Sequence, residues 1–151
     1  EIVSVNDEEI SQAIVYGMEV EKTILEGSGA AGLAAVLNDK LKLSEPSCIV
    51  FCGGNIDLNT MSTVIDTGLR KAGRLARISV IVGDRPGELA ALTNDFADMR
   101  ANVLEVLHDR VSPELSLRQT RIDFLLEVMS FEHIDQIKER IRKRNIRMLE
   151  R

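Results

Sequence analysis

At 151 residues the chain is long enough for one ordinary domain or two small ones. A unit of about 70–80 residues sits near the lower limit for a self-sufficient core. The 44% hydrophobic and 28% charged content suit a globular protein, and a net charge of −5 argues against a nucleic-acid or membrane-surface role, which needs a basic face.

Asp7 to about Leu25 carries apolar residues at Ile10, Ala13, Ile14 and Met18, a helical stripe opened by an Asn6/Asp7 cap. Glu26-Gly27-Ser28-Gly29-Ala30-Ala31-Gly32 leads into a second stripe, Leu33, Ala34, Leu37 and Leu41, which Ser44-Glu45-Pro46 breaks. Cys48-Ile49-Val50-Phe51-Cys52 is a continuous apolar run of strand length, the pattern of a strand buried on both faces of a parallel sheet. Gly53-Gly54-Asn55 ends it, and Leu58, Met61, Ile65 and Leu69 make a third helix. A single buried strand lacks the neighbours it needs, so this first piece reads as the severed end of something larger. Glu1 rather than Met opens the chain, which points to processing or a fragment boundary; no leader peptide or membrane-spanning run is visible.

From Arg74 the pattern changes. Ile78, Val80 and Val82 alternate as a half-buried strand, and Gly83-Asp84-Arg85-Pro86-Gly87 turns into a helix marked by Leu89, Leu92, Phe96 and Met99. A second strand covers about Asn102–Arg110, followed by a loop over Ser112–Ser116 with Pro113. Ile122, Phe124, Leu126 and Val128 alternate as a third strand, Ile134, Ile137 and Ile141 mark a helix, and Ile146–Leu149 a last short strand. The order βαββαβ with short connections predicts a ferredoxin-like plait, two helices on one face of a four-stranded antiparallel sheet.

Several motifs invite chemistry. Gly27-x-Gly29-x-x-Gly32 matches the dinucleotide fingerprint in form, but no strand precedes it and no acidic residue closes the next strand, so the match is accidental. Cys52-Gly53-Gly54-Asn55 lies where open α/β sheets place ligands, although taken alone a tight strand-to-helix turn, with Cys52 a small buried apolar residue, is the plainer reading. On a strand, Cys48 and Cys52 would lie ~13 Å apart, too far for a disulfide, so reduced thiols and a cytoplasmic location fit best. The helix-start amides after Asp84-Arg85-Pro86-Gly87-Glu88-Leu89, with Asn102 opening the next strand, suit the carboxylate and amine of an amino acid; a well-capped turn with Asn102 in a left-handed conformation explains the pattern equally well. In His108-Asp109-Arg110 only His108 and Arg110 share a strand face, and no nucleophile accompanies them. The cations of Lys138–Arg144 read as a solvated helix face and C-terminus. Two distant histidines offer no metal site.

Taken in order, Glu26–Gly32, Cys52-Gly53-Gly54-Asn55-Ile56-Asp57, Asp84–Leu89 and Ala101-Asn102-Val103-Leu104 resemble the C-terminal end of threonine/serine dehydratases. These threonine ammonia-lyases are pyridoxal-phosphate (PLP) enzymes of the fold-type-II class that includes serine racemase; the form resembled ends in an amino-acid-sensing ACT domain. The resemblance implies an α/β piece over residues 1–73, the end of a PLP catalytic domain, followed by an α+β ferredoxin-like ACT domain over residues 74–151. It matches Cys52 to the residue facing the pyridine nitrogen, where a neutral partner leaves that nitrogen unprotonated. It places Gly53, Gly54 and Asn55 beside the ring and Glu26 near its 3-hydroxyl side. It assigns Asp84, Arg85, Pro86, Gly87, Glu88, Leu89 and Asn102 to an effector site between paired ACT domains, for isoleucine, valine, threonine or serine. A cytoplasmic homo-oligomer serving isoleucine biosynthesis, without nucleic-acid or membrane partners, follows from the same resemblance. The family's PLP lysine lies far upstream, and no lysine here sits in its motif, so the chain alone is expected to be inactive. A stand-alone amino-acid-binding module, or the regulatory end of another fold-type-II enzyme such as a racemase, stays open.

Overall fold

The computed structural model describes residues 2–43, 45–111, 113 and 115–149; the expected breaks at Ser44 and Ser112 and the loop position Glu114 fall outside them. The chain divides into two compact units, Glu1–Ala72 and Gly73–Arg151.

The first unit is three helices: α1 (Asp7–Glu19), α2 (Gly27–Leu37) and α3 (Leu58–Lys71). A capping box starts α1: the Glu9 amide donates to Asn6 Oδ1 at 3.0 Å, and the Asn6 amide donates to Glu9 Oε2 at 2.8 Å. Acidic Asp7, Glu8 and Glu9 in its first turn complement the helix dipole. Asp57 caps α3 by accepting from the Asn59 and Thr60 amides, both at 3.0 Å. Ala13, Ile14, Leu25, Ala30, Leu33 and Ala34 form the core, so the apolar stripes expected for α1 and α2 do face inward. Where α3 crosses α1, Gly68 sits so close that a Cβ there would lie 2.5 Å from Val15 Cγ2 and 2.7 Å from the Ser11 carbonyl. Helix α1 stops at Glu19, short of the expected Leu25.

Cys48–Cys52 is not a strand. It runs as irregular chain with Cys48, Val50 and Cys52 exposed. A strand is made by its hydrogen-bonding neighbours, and among the described residues of this unit no other strand exists to pair with it. The apolar composition was therefore legible, but the burial it implies is not met within these residues.

The second unit has strands β1 (Leu75–Gly83), β2 (Asn102–Asp109), β3 (Gln119–Glu127) and β4 (Arg147–Leu149), with helices α4 (Glu88–Asp98) and α5 (Phe131–Lys143). The sheet order is β2-β3-β1-β4 and all pairings are antiparallel. Ile78, Val80, Val82, Ile122, Phe124 and Leu126 share one sheet face and pack with Leu92 and Phe96 of α4 and Ile137 and Ile141 of α5. Phe96 and Phe124 meet edge-to-face at 4.8 Å near the centre of this core. The plait read from the sequence is the fold observed.

Strand β1 is more buried than half: Ser79 and Ile81, on the face away from the helices, are only 4% and 5% exposed. Their cross-strand neighbours supply the reason. Ser79 lies between Asp123 and Leu149, and Ile81 between Arg121 and Arg147, whose longer side chains flank them.

Candidate functional site

The turn between β1 and α4 is built by backbone. The Asp84 amide donates to the Arg118 carbonyl at 2.8 Å, the Arg85 amide to the Gly83 carbonyl at 2.9 Å, and Gly87 takes the left-handed φ of 94° that caps α4. No side chain caps this helix, and the amides of Leu89 and Ala90 have no acceptor among the described residues. The turn residues from Asp84 to Leu89 line a cavity of about 290 Å³, closed on its other side by His108, Arg110, Thr120 and Ile122. Arg110 Nε lies 3.1 Å from Asp84 Oδ2, and Thr120 Oγ1 donates to the Asp109 carbonyl at 2.8 Å. The cavity thus offers uncapped amides and Arg110 to a carboxylate, and Asp84 and Glu88 to an ammonium group. A zwitterion needs both within a few ångströms.

His108, Arg110 and Thr120 were not assigned to this site from sequence. The signal was present: His108 and Arg110 share a strand face, and the order β2-β3-β1 places the end of β2 beside the end of β1. Asp109 pairs with Arg121 in β3, two residues from Gln119, which pairs with Gly83.

Asn102 is elsewhere. It pairs with Glu127, at the end of the sheet occupied by Leu75, so the length of β2 separates it from the turn, about 23 Å along a strand of this length. Asn102 Nδ2 donates to Glu127 Oε2 at 3.2 Å, beside a second cavity of about 370 Å³ that Arg100 and Arg74 also line. One copy of the unit does not bring Asn102 together with Asp84–Leu89.

In the first unit the residues do meet. Glu26 is the N-cap residue of α2, with Oε1 accepting from Ser28 Oγ at 2.6 Å. Gly53 has a left-handed φ of 80° and lies against the Glu26 side chain, where a Cβ would come within 2.1 Å of Cδ. A Cβ on Gly29 would lie 1.8 Å from the Cys52 carbonyl oxygen. Two glycines thus press the Cys52–Gly53 bend onto the start of α2, leaving the Cys52 thiol exposed, with open space around Gly54. A flat aromatic cofactor approaching Cys52 would find one wall without bulky side chains. These residues fit one side of a PLP site and supply no phosphate cradle or lysine. Gly27, Gly29 and Gly32 serve helix packing: α2 follows no strand, and a Cβ on Gly32 would lie 3.2 Å from Ile49.

Among the described residues no group of His, Cys, Asp and Glu is arranged to hold a metal, and no helix is long and apolar enough to cross a membrane. The βαββαβ topology defines the second unit as a ferredoxin-like plait, and residues 76–145 match the family model of the ACT domain. This unit is an ACT domain. Across both units the chain is similar to L-threonine ammonia-lyases. With that of Thermotoga maritima it is 41% identical over 138 residues, 91% of this chain and 34% of the relative. With that of Geobacter sulfurreducens it is 42% identical over 138 residues, with the same coverage of 91% and 34%. A catabolic L-threonine dehydratase of Staphylococcus aureus is 38% identical over 76 residues, 48% of this chain and 22% of its own length. The chain spans about a third, 34%, of the length of the first two relatives.

Proposed function

We propose that this chain is part of a PLP-dependent L-threonine/L-serine ammonia-lyase. Residues 1–73 contribute one wall of the cofactor pocket, and the ACT domain binds an amino-acid effector and self-associates. The observation that carries this reading is the similarity to L-threonine ammonia-lyases through 91% of the chain, which takes in both units. The contact of Glu26, Cys52 and Gly53 supports the assignment of the first unit. When bound, PLP supplies an electron sink for loss of the substrate α-proton and departure of its β-hydroxyl as water. The products are 2-oxobutanoate from threonine, or pyruvate from serine, with ammonia. In this reading Cys52 faces the ring nitrogen, Gly53, Gly54 and Asn55 let the backbone approach the ring, and Gly53 fixes Glu26 near its 3-hydroxyl side. A covalent link to the cofactor needs an activated lysine, and the resemblance leaves that lysine outside this chain, so the chain alone neither forms the Schiff base nor turns over threonine.

The effector reading gains a geometric form. Strand β2 is an edge of the sheet, with Leu104, Val106 and Leu107 exposed by 50%, 37% and 48%. Two copies pairing their β2 edges antiparallel would set Asn102 of one beside Arg110 and Asp84 of the second. The two halves that one copy holds apart would then form a single site, consistent with an effector bound between ACT domains. Titrating the chain with isoleucine, valine, threonine and serine by calorimetry tests this, alongside sedimentation. Saturable binding by a dimer is expected. A strictly monomeric chain would overturn the shared site, and 2-oxobutanoate formed from threonine by the chain alone would overturn its assignment as an incomplete enzyme.

A further inference from the structure

The sheet side of the cavity below the Asp84–Leu89 turn consists of His108, Arg110, Thr120 and Ile122. His108 pairs with Ile122, which packs in the core under the helices, so His108 stands on the helix side of β2, where α4 begins. Arg110 follows two residues on, at most about 7 Å further along the strand direction. Three of the four side chains have no hydrogen bonding to spare for a ligand's hydroxyl. Arg110 holds Asp84 at 3.1 Å, Thr120 has given its hydroxyl proton to the Asp109 carbonyl at 2.8 Å, and Ile122 is apolar. His108 makes no hydrogen bond or ion pair among the described residues. Across the cavity, Arg85 and Glu88 belong to the charged turn, while Pro86 and Leu89 add apolar surface. A free imidazole thus stands beside an otherwise apolar wall, a short step from the groups suited to a carboxylate.

We propose that His108 selects the side chain of the effector, and that the class selected is a hydroxy amino acid, threonine or serine, over an aliphatic one of the same shape. The proposal rests on the effector reading of this cavity given above. An amino acid with its carboxylate at Arg110 and the α4 amides, and its ammonium at Asp84 or Glu88, has its β-substituent left to face the wall of Leu89, Ile122 and His108. An imidazole presents a donor and an acceptor whether neutral tautomer Nδ1–H or Nε2–H is present, so it can bond a hydroxyl in either direction. Valine has the shape of threonine with a methyl in place of the hydroxyl. Its binding would take water from the imidazole and return no hydrogen bond. A purely apolar pocket discriminates weakly against an added hydroxyl, whereas a pocket that bonds the hydroxyl rejects the analogue lacking it. His108 is exposed in the empty cavity, so the discrimination expected is that of one ordinary hydrogen bond, about fivefold.

The test is a calorimetric titration of the full chain at neutral pH with L-threonine and L-valine, repeated in H108L and H108Q. In the wild-type chain threonine is expected to bind about fivefold tighter than valine. The preference should vanish in H108L, which fills the space with hydrocarbon, and persist in H108Q, whose amide keeps a donor and an acceptor. The ratio of the two affinities is the readout, because a residue that only shapes the cavity would move both ligands alike. Valine binding as tightly as threonine in the wild-type chain overturns the proposal. So does a threonine preference that survives in H108L, or variants that weaken the two ligands equally. Binding of neither amino acid by the folded chain is a different result: it overturns the effector reading of the cavity, and this inference with it.

Discussion

Asp95 shows how a single buried carboxylate orders two helices. Its side chain is 11% exposed on α4 and accepts from Arg140 and Arg144 at the end of α5. Burial by itself pushes the Asp95 carboxyl up, but the hydrogen bonds and charges of Arg144 and Arg140 together outweigh it and hold the group below its ordinary value of 3.8. A depressed folded-state value means that the contribution to stability is complete above the unfolded value and is lost as pH falls through the folded one. Removing the charge in Asp95→Asn strands two half-exposed arginines, and a loss of about 2 kcal/mol is expected from denaturant unfolding at pH 7. Repeating the series toward pH 3 should shrink the gap between wild type and variant; a gap that stays constant with pH would assign the loss to packing. The sequence showed these arginines only as a basic helix end, because nothing local marks their partner 45 and 49 residues away. The effector cavity was half legible for a similar reason. Asp84–Leu89 is a contiguous turn and can be read locally, whereas His108, Arg110 and Thr120 reach it only through strand pairing.

At the level of elements, periodicity served where an element buries its own stripe. The five helices are all found, as are the strands of the plait, but α3 lends only Val64 to the core of its unit, and Leu58 of its expected stripe is 86% exposed. Cys48–Cys52 failed because its pattern records a burial that the described residues of this unit do not provide. The helix crossing of α1 and α3 is the element contact least forgiving of change. Gly68 meets Val15 Cγ2 and the Ser11 carbonyl where a Cβ would stand, and backbone cannot rotate away as a flexible side chain can. Gly68→Ala gains about 1 kcal/mol of helix propensity but forces the helices apart at a cost of about 1–3 kcal/mol, so a net loss near 1 kcal/mol is expected. Tyr16 on α1 is the only tyrosine in a chain without tryptophan, so its fluorescence during urea unfolding reads this unit specifically. A variant as stable as wild type would mean that the crossing yields more easily than its backbone contact implies.

For the whole molecule, the sequence pattern that looked incomplete and the structure that looks incomplete have a common cause. On the function proposed above, each unit holds half of a site whose other half lies in a different chain segment or a second copy. In the first unit the Cys52–Gly53 bend is shaped and exposed without a lysine or phosphate loop; in the second, Asn102 and the Asp84–Leu89 turn sit at opposite ends of one edge strand. An edge with three half-exposed aliphatic side chains invites pairing unless charges guard it, and Glu105 is the one charged residue between Leu104 and Leu107. Placing lysines at both leucines adds like charges on facing edges while leaving the core cluster untouched, since neither belongs to it. Leu104→Lys with Leu107→Lys is therefore expected to raise the dimer dissociation constant at least a hundredfold in sedimentation equilibrium, with little change in the unfolding midpoint extrapolated to monomer. If the effector site is shared, amino-acid binding must weaken in step with dissociation, because a monomer offers the uncapped amides of α4 without Asn102 opposite them. Retention of full affinity by the monomeric variant would place the whole site in the 290 Å³ cavity of one copy, with Asn102 serving only to hold Glu127.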